Sequence, residues 1–178
     1  GLIPSPEWAQ KVLKRKWYAG ETISVAIGQG AVAVTPVQIA YAIGGIVSGG
    51  VFRRPHLAFR DQLLALGMKP PDEEDRRFPL AGATVETVSK GMWGVVNEGG
   101  TGTNAQSPGL DISGKTGTAQ VVSASLKDSG GKKAEFRNNA WFVGYAPSHE
   151  PEIVVSALVL QGEHSAVAAP VVPIRDRP

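Results

Sequence analysis

The sequence has 178 residues, of which 42% are hydrophobic and 19% are charged, as is ordinary for a soluble globular domain. Its 18 Lys and Arg residues against 16 Asp and Glu residues leave a net charge of +2, which is too small to indicate binding to nucleic acid. The absence of cysteine excludes disulfides, thiolate metal sites and a thiol nucleophile, and no apolar run approaches the roughly 20 residues of a membrane span.

The first part of the chain carries the start signals of two helices. Residues 5–7 (Ser-Pro-Glu) combine an N-cap, a proline suited to the first turn and an acidic residue, so we expect a helix through residues 8–13. A loop interrupted by Gly28 and Gly30 follows, and a second helix start comes at residues 35–36 (Thr-Pro).

A buried helix is predicted next, followed by an exposed connection. Apolar side chains lie all around the helix axis over residues 37–47, which predicts burial on every side. Residues 51–59 (VFRRPHLAF) are a short strand candidate whose proline restricts it to an edge. Residues 66–79, including the acidic run at residues 72–75, are polar and rich in proline and are predicted to be an exposed loop.

The second half of the chain changes from helical to strand periodicity. One apolar stripe over residues 83–98 predicts an amphipathic helix, which the following glycines end. Three β-prone segments follow, at residues 112–125, 140–146 and 152–162, with a flexible hairpin connection over residues 126–139. Helices followed by consecutive strands predict an α+β fold in which helices pack on an antiparallel sheet.

The segment GLDISGKTGTAQ, residues 109–120, fits two different motifs. Residues 109–116 fit G-x-x-x-x-G-K-[ST], the phosphate-binding loop, whereas K-T-G fits the lysine strand of penicillin-binding and β-lactamase enzymes. A phosphate-binding loop requires a buried strand before it and a helix after it. Because residues 97–109 are loop-like and the residues after Lys115 are β-prone, the strand interpretation is favoured.

On an exposed strand edge these residues offer groups that hold a carboxylate and a developing oxyanion. Lys115 supplies positive charge, and the Thr116 and Thr118 hydroxyls donate beside it. Gly117 leaves room for a ligand that lies along the backbone like an added strand, and the Thr118 N–H can point at an oxyanion. Strand alternation separates Lys115 from the two threonines, so a ligand that contacts all three must lie along the edge. The alternative is an ordinary edge strand whose lysine discourages aggregation.

Several segments together resemble the transpeptidase domain of class B penicillin-binding proteins, and most closely its elongation-type members. The matching segments are WYAGETISVAIGQGAVAVTPVQIAYA, GVVNEGGTGTNA, ISGKTGTAQVV and NNAWFVGYAP, which occur here in the order of the family. The resemblance implies a penicillin-binding transpeptidase or β-lactamase-like fold, with its C-terminal part in residues 1–162. Residues 163–178 are expected to be an irregular tail because of their prolines, and there the sequence departs from the helix that usually closes the family's domain.

The resemblance also implies a function, which is that of a serine-type D,D-transpeptidase that cross-links peptidoglycan stem peptides and binds β-lactams. Lys115, Thr116 and Thr118 would then hold the carboxylate of D-Ala-D-Ala, with clearance at Gly117 and half of the oxyanion hole from the Thr118 N–H. The IGQG segment and the helix start at residues 35–36 are expected to be scaffold beside the site, and Trp141 is expected to belong to the core.

The resemblance also implies a location and a partner for the protein. It implies a domain on the periplasmic side of the bacterial inner membrane and partnership with a membrane glycan polymerase of the elongation machinery. From this segment itself we expect no membrane contact. Neither a metal nor an organic cofactor is implied.

The family's nucleophile and base, in S-x-x-K, and its S-x-N motif are expected upstream of this sequence, so no catalytic residue is assigned within it. The one S-x-x-K here, at residues 129–132, follows the K-T-G strand in a glycine-rich turn and is interpreted as coincidence. His56, His149 and His164 occur in separate loop-like contexts and are expected to be surface residues. We therefore expect the isolated chain to be marginally stable, inclined to associate, and inactive toward penicillin.

Three alternatives stay open at this point. The chain could be a non-catalytic binding or scaffold module with the same fold. It could instead belong to a related serine β-lactamase or D,D-carboxypeptidase, since all of these enzymes share K-T-G. The third alternative is a nucleotide-binding protein with a phosphate-binding loop.

Overall fold

The computed structural model describes residues 1–70, 74–120 and 137–171. Its helices are α1 (Pro6–Trp8), continued by a π-helix over Ala9–Leu13, α2 (Ala19–Ala26), α3 (Pro36–Val47), α4 (Arg60–Ala65) and α5 (Gly82–Asn97). Its strands are β1 (Val51–Phe52), β2 (Arg76–Arg77), β3 (Ser113–Ala119), β4 (Asn139–Ala146) and β5 (Ile153–Val159). Among the residues so described, no helix combines the length and the apolar character needed to cross a membrane.

The three C-terminal strands form an antiparallel sheet in the order β3-β4-β5. The register places Lys115 opposite Val143, and Val143 opposite Ser156. Aromatic and β-branched residues, which favour strands, recur in β4 and β5. The sheet and its packed helices confirm the predicted α+β fold. The predicted hairpin connection falls mostly on residues 121–136, which lie outside the described residues.

Two clusters of buried side chains join the sheet to the helices. In the first, Phe142 of β4 packs with Val96 of α5, and both are fully buried. In the second, Tyr145 of β4 packs with Val47 of α3 and Met92 of α5. Met92 and Val96 lie on the apolar stripe of residues 83–98, so the amphipathic helix predicted there is confirmed.

The helix starts predicted at residues 5–7 and 35–36 are both confirmed as N-caps. The Trp8 N–H donates to Ser5 Oγ at 3.2 Å, and the Gln38 N–H donates to Thr35 Oγ1 at 3.2 Å. Between them lies α2, which the sequence analysis did not predict. None of its residues is buried in the described structure, so it has no apolar stripe facing a core that could have revealed it.

The prediction that the helix over residues 37–47 is buried on every side is wrong. In α3 only Gly45 and Val47 are buried, and Val37 is 59% exposed. One side of α3 packs on the sheet, where Ile43 joins the cluster around Tyr145. Apolar residues around a whole helix predict burial only if neighbours cover every side, and within the described residues one side is covered.

The middle of the chain is more ordered than predicted. Strand β1, inside the edge-strand candidate of residues 51–59, pairs with β2, inside the predicted loop of residues 66–79. Helix α4 was not predicted. A Cβ at Gly45 of α3 would overlap the Phe52 ring, so this glycine lets β1 pack closely against α3. Part of the acidic run, at residues 72–73, lies outside the described residues.

The C-terminal tail has short 3-10 turns at Ser165–Val167 and Ala169–Val171, and no regular helix within the described residues. This agrees with the proline content of the tail. Ala168 and Ala169 are fully buried in the cluster around Phe142, so the first part of the tail contributes to the core.

Candidate functional site

The K-T-G-T segment lies in β3, which pairs within the described residues with β4 alone. Lys115 and Thr118 are exposed, and Thr116 and Gly117 are half-buried. The structure therefore brings all four predicted site residues together on an accessible strand.

The backbone groups of Thr116 and Thr118 face away from β4. The Thr118 carbonyl oxygen accepts a hydrogen bond of 2.8 Å from Nε2 of Gln29, a residue of the loop after α2, and is therefore directed away from β4. In a strand the N–H and C=O of one residue point to the same side, and the side alternates from one residue to the next. The N–H of Thr118 and both backbone groups of Thr116 consequently point toward this outer edge.

The Lys115 ammonium reaches the same outer edge. Its Nζ donates to the Thr116 carbonyl oxygen at 2.8 Å and lies 3.4 Å from Thr116 Oγ1. Because side chains alternate along a strand, those of Lys115 and Thr116 leave β3 on opposite faces of the sheet. The long lysine side chain nevertheless bends around the outer edge of β3, so that its Nζ reaches Thr116. A cation, a hydroxyl and an outward N–H therefore lie along one short length of strand, which is the arrangement that an extended ligand with a carboxylate requires.

Thr101 joins this edge from the loop after α5. Its Oγ1 lies 2.7 Å from Thr116 Oγ1, so one hydroxyl donates to the other and fixes its orientation. The sequence analysis did not single out Thr101. The available signal was its place in GVVNEGGTGTNA, one of the segments that carry the family resemblance.

Hydrogen bonds hold the Thr101 loop against β3. The loop turns at Gly99, whose φ of 71° favours glycine, and the Gly102 N–H then donates to the Val95 carbonyl at 2.9 Å. Asn97 Nδ2 donates to the Ile112 carbonyl at 2.9 Å and ties the end of α5 to the residue before β3. Helix α5, which is anchored in the core, thereby positions the Thr101 hydroxyl.

Gly117 lies opposite the half-buried Trp141 in the β3–β4 pair. A Cβ at Gly117 would lie 3.2 Å from the Trp141 Cβ, which is a tight contact. Close packing against Trp141 is therefore one reason for glycine at this position. Clearance for a ligand, the other predicted reason, stays a prediction.

The phosphate-binding-loop interpretation is wrong. After Lys115 the chain continues as β3 through Ala119 and does not begin a helix. A phosphate-binding loop depends on the backbone N–H groups at the start of such a helix. The match of residues 109–116 to that motif therefore has no structural counterpart.

The remaining candidate groups lie apart from this edge. His56 Nδ1 contacts the Ala58 carbonyl at 2.9 Å, and the exposed His149 has its Nδ1 3.7 Å from Asp111 Oδ2. Over residues 1–70, 74–120 and 137–171, no group of His, Cys, Asp and Glu side chains could hold a metal ion. The S-x-x-K at residues 129–132 lies outside these ranges, so its interpretation as coincidence stays a prediction.

Comparison with known proteins gives one consistent result. Residues 4–173 match the penicillin binding protein transpeptidase domain. The peptidoglycan D,D-transpeptidase MrdA of Haemophilus influenzae is 39% identical over 176 residues, which cover 94% of this chain and 27% of that protein. The chain therefore spans about a quarter of the length of this curated relative.

Two solved structures share the fold. PBP2 of Pseudomonas aeruginosa in complex with WCK 5153 has a TM-score of 0.75 and 38% identity, over 97% of this chain and 35% of that one. The penicillin-binding protein PBP2 of Helicobacter pylori, in a complex with MreC, has a TM-score of 0.75 and 26% identity, over 97% of this chain and 29% of that one.

Proposed function

Because the chain belongs to the penicillin-binding protein transpeptidase family, we propose that it forms the carboxylate-binding and oxyanion-binding side of the active site of a peptidoglycan D,D-transpeptidase. The observation that carries the proposal is the outer edge of β3, where the Lys115 ammonium, the Thr116 hydroxyl and the outward Thr118 N–H lie side by side. The chain spans about a quarter of the length of the H. influenzae relative, so the activity is assigned to the full-length protein.

The substrate in this proposal is a stem peptide that ends in D-Ala-D-Ala. It lies along β3 like an added strand, and its terminal carboxylate accepts hydrogen bonds from Lys115 and from the Thr116 and Thr118 hydroxyls. The carboxylate replaces the Thr116 carbonyl as the partner of the ammonium. Exchange of a neutral acceptor for a charged one strengthens the hydrogen bond, and bonds to charged groups contribute about 1.5–3 kcal/mol each.

The nucleophile is a serine from another part of the full-length protein. Its oxygen attacks the carbonyl carbon of the penultimate D-Ala, a lysine base accepts the hydroxyl proton, and the broken C–N bond releases D-alanine, whose amine takes up the proton. An amine of a second stem peptide then attacks the acyl ester, the new peptide bond forms, and the serine regains its proton. In both steps the oxyanion accepts a hydrogen bond from the Thr118 N–H, and one such donor contributes about 3 kcal/mol.

The proposal extends to inhibitors, partners and location. β-Lactams, whose ring amide resembles D-Ala-D-Ala, acylate the same serine. The H. pylori relative forms a complex with MreC, which supports a place in a larger assembly, and we assign the partnership to a membrane glycan polymerase of the elongation machinery. The domain then lies on the periplasmic side of the inner membrane and uses no cofactor.

Labelling with a fluorescent penicillin tests the role of Lys115 in the full-length protein. We expect Lys115→Ala to slow labelling about 10- to 100-fold, because the ligand carboxylate loses a charge-assisted hydrogen bond. Lys90→Ala is the matched control, since Lys90 is an exposed lysine of α5 and its removal leaves β3 intact.

The outcomes are distinct. Slow labelling of Lys115→Ala with normal labelling of Lys90→Ala supports the proposed site. Undiminished labelling of Lys115→Ala would overturn the role of Lys115. An unlabelled wild-type protein would overturn the transpeptidase and support a non-catalytic module with the same fold.

A further inference from the structure

Gln29 pairs with the outer edge of β3 through its side chain. Its Nε2 donates to the Thr118 carbonyl at 2.8 Å, and its Oε1 accepts from the Gln120 N–H at 3.2 Å. The carbonyl of one residue and the N–H two residues later are the groups that an adjacent β-strand uses. The carboxamide of Gln29 therefore takes the place of the N–H and C=O of one residue in a neighbouring parallel strand.

The end of α2 holds Gln29 in position for this contact. The Gly28 N–H donates to the Val25 carbonyl at 2.9 Å, and the Gln29 N–H donates to the Ser24 carbonyl at 2.8 Å. These two bonds form a Schellman motif, which requires a left-handed residue after the helix, and Gly28 supplies it with a φ of 71°. The half-buried Gln29 is thus fixed to α2 by its backbone and to β3 by its side chain.

The contact falls at the end of the described pairing between β3 and β4. Pairing between β3 and β4 ends at Ala119 opposite Asn139, and Gln120 is the last described residue of this segment. With β4 on one side and Gln29 on the other, Thr118 is held in an extended conformation. In that conformation the Thr118 N–H points to the same side as its carbonyl, which is the outer edge.

We propose that Gln29 is a positioning residue that aims the Thr118 N–H at the oxyanion. The inference rests on the proposed function, because it gives Gln29 a role in that same site. The carboxamide bonds to the Thr118 carbonyl and the Gln120 N–H, and the Thr118 N–H is left for the oxyanion.

The geometry predicts which step depends on Gln29. The carboxylate partners are the Lys115 ammonium and the Thr116 and Thr118 hydroxyls, whereas the Gln29 carboxamide bonds to the Thr118 carbonyl and the Gln120 N–H. Its loss should leave the first, non-covalent binding of a β-lactam nearly unchanged. The acylation step should slow, because the oxyanion forms in that step and depends on the direction of the Thr118 N–H.

The test uses the full-length protein and a penicillin, with the acylation rate constant and the initial dissociation constant measured separately. We expect Gln29→Met, which keeps the length of the side chain but not its hydrogen bonds, to lower the rate constant about tenfold. The dissociation constant should change less than about threefold. Gln29→Glu should lower the rate constant further, because it places a negative charge beside the developing oxyanion.

Two controls separate this inference from the proposed function. Gln10→Ala removes an exposed glutamine far along the chain from β3 and should leave both constants unchanged. Hydrogen exchange at the Gln120 amide, which needs no activity, should become faster in Gln29→Met than in wild type.

If wild type is acylated and Gln29→Met matches it in rate constant, the role of Gln29 is overturned while the proposed function stands. Equal changes in both constants, accompanied by a lower melting temperature, would also overturn it, since they indicate a structural role alone. A wild-type protein that is not acylated overturns the proposed function, and the Gln120 exchange rate still reports whether Gln29 pairs with β3.

Discussion

Two regions of the molecule meet at β3 and are built differently. The helix–sheet unit, residues 82–171, is organised around fully buried side chains such as Phe142 and Val96. The N-terminal arm, residues 1–30, contains α2, which has no buried residue; Ile23 of α2 is 67% exposed, and Ile27, the residue after its end, is 70% exposed. Burial thus fixes the strand that carries the site, whereas hydrogen bonds of Gln29 join the arm to it.

The difference indicates that stability and positioning are separable here. Ile23 of α2 and Ile27, which caps its C-terminal end, are four residues apart, and both are exposed among the described residues. Loss of a buried side chain of the helix–sheet unit, such as Phe142, should therefore affect folding, and loss of the Gln29 side chain should affect the site without unfolding that unit.

The largest effect is expected from Phe142→Ala in the 178-residue chain. The ring is fully buried in β4, so its removal should lower the local free energy of unfolding by about 3–5 kcal/mol. Hydrogen exchange of the β4 amides measures this quantity. Ile23→Ala in the same 178-residue chain, where this side chain is 67% exposed, is the matched comparison, and we expect a change within about 0.5 kcal/mol. If Ile23→Ala lowered the free energy of unfolding as much as Phe142→Ala, the difference between the two regions would be refuted, because the face of α2 would then have to be buried.

A smaller loss of stability is expected when the Glu21 carboxylate is protonated at low pH. The Arg15 guanidinium, which donates to both Glu21 carboxylate oxygens at 2.8 Å, and then the Tyr18 N–H hold the pKa of Glu21 below its ordinary value of 4.5. A carboxyl group whose pKa is lowered by folding stabilises the fold above its unfolded pKa, and that stabilisation is lost as the pH falls through the folded pKa.

Protection of the α2 amides against hydrogen exchange, corrected for the intrinsic rate, should therefore decline below pH 4.5 in wild type. The decline should be weaker in Glu21→Gln, which has no carboxyl group to titrate. Because the pair is solvent-exposed, the difference should be small, and a steep common decline in both proteins would contradict this account of the helix start.

The sequence predicted features that depend on local pattern. The caps at Ser5 and Thr35, the amphipathic stripe of α5 and the strand that holds Lys115 all have signals within a few residues of one another. The change from helical to strand periodicity also predicted the antiparallel sheet. These signals work because hydrogen bonding within a segment and the alternation of its side chains are local properties.

Features that depend on distant parts of the chain were missed or wrong. The burial of α3 depends on how many neighbours cover it, and its own residues do not specify them. Helix α2 faces no core among the described residues. The contacts of Thr101 with Thr116 and of Gln29 with Thr118 join separate segments, and the sequence indicated them only as parts of one family resemblance.

A crystal structure of the full-length protein after reaction with a penicillin tests the central claim most directly. We expect the penicillin carboxylate within hydrogen-bonding distance of Lys115 Nζ and the Thr116 hydroxyl, and the acyl carbonyl oxygen within that distance of the Thr118 N–H. A covalent adduct whose carboxylate and carbonyl oxygen both lie away from the outer edge of β3 would contradict it.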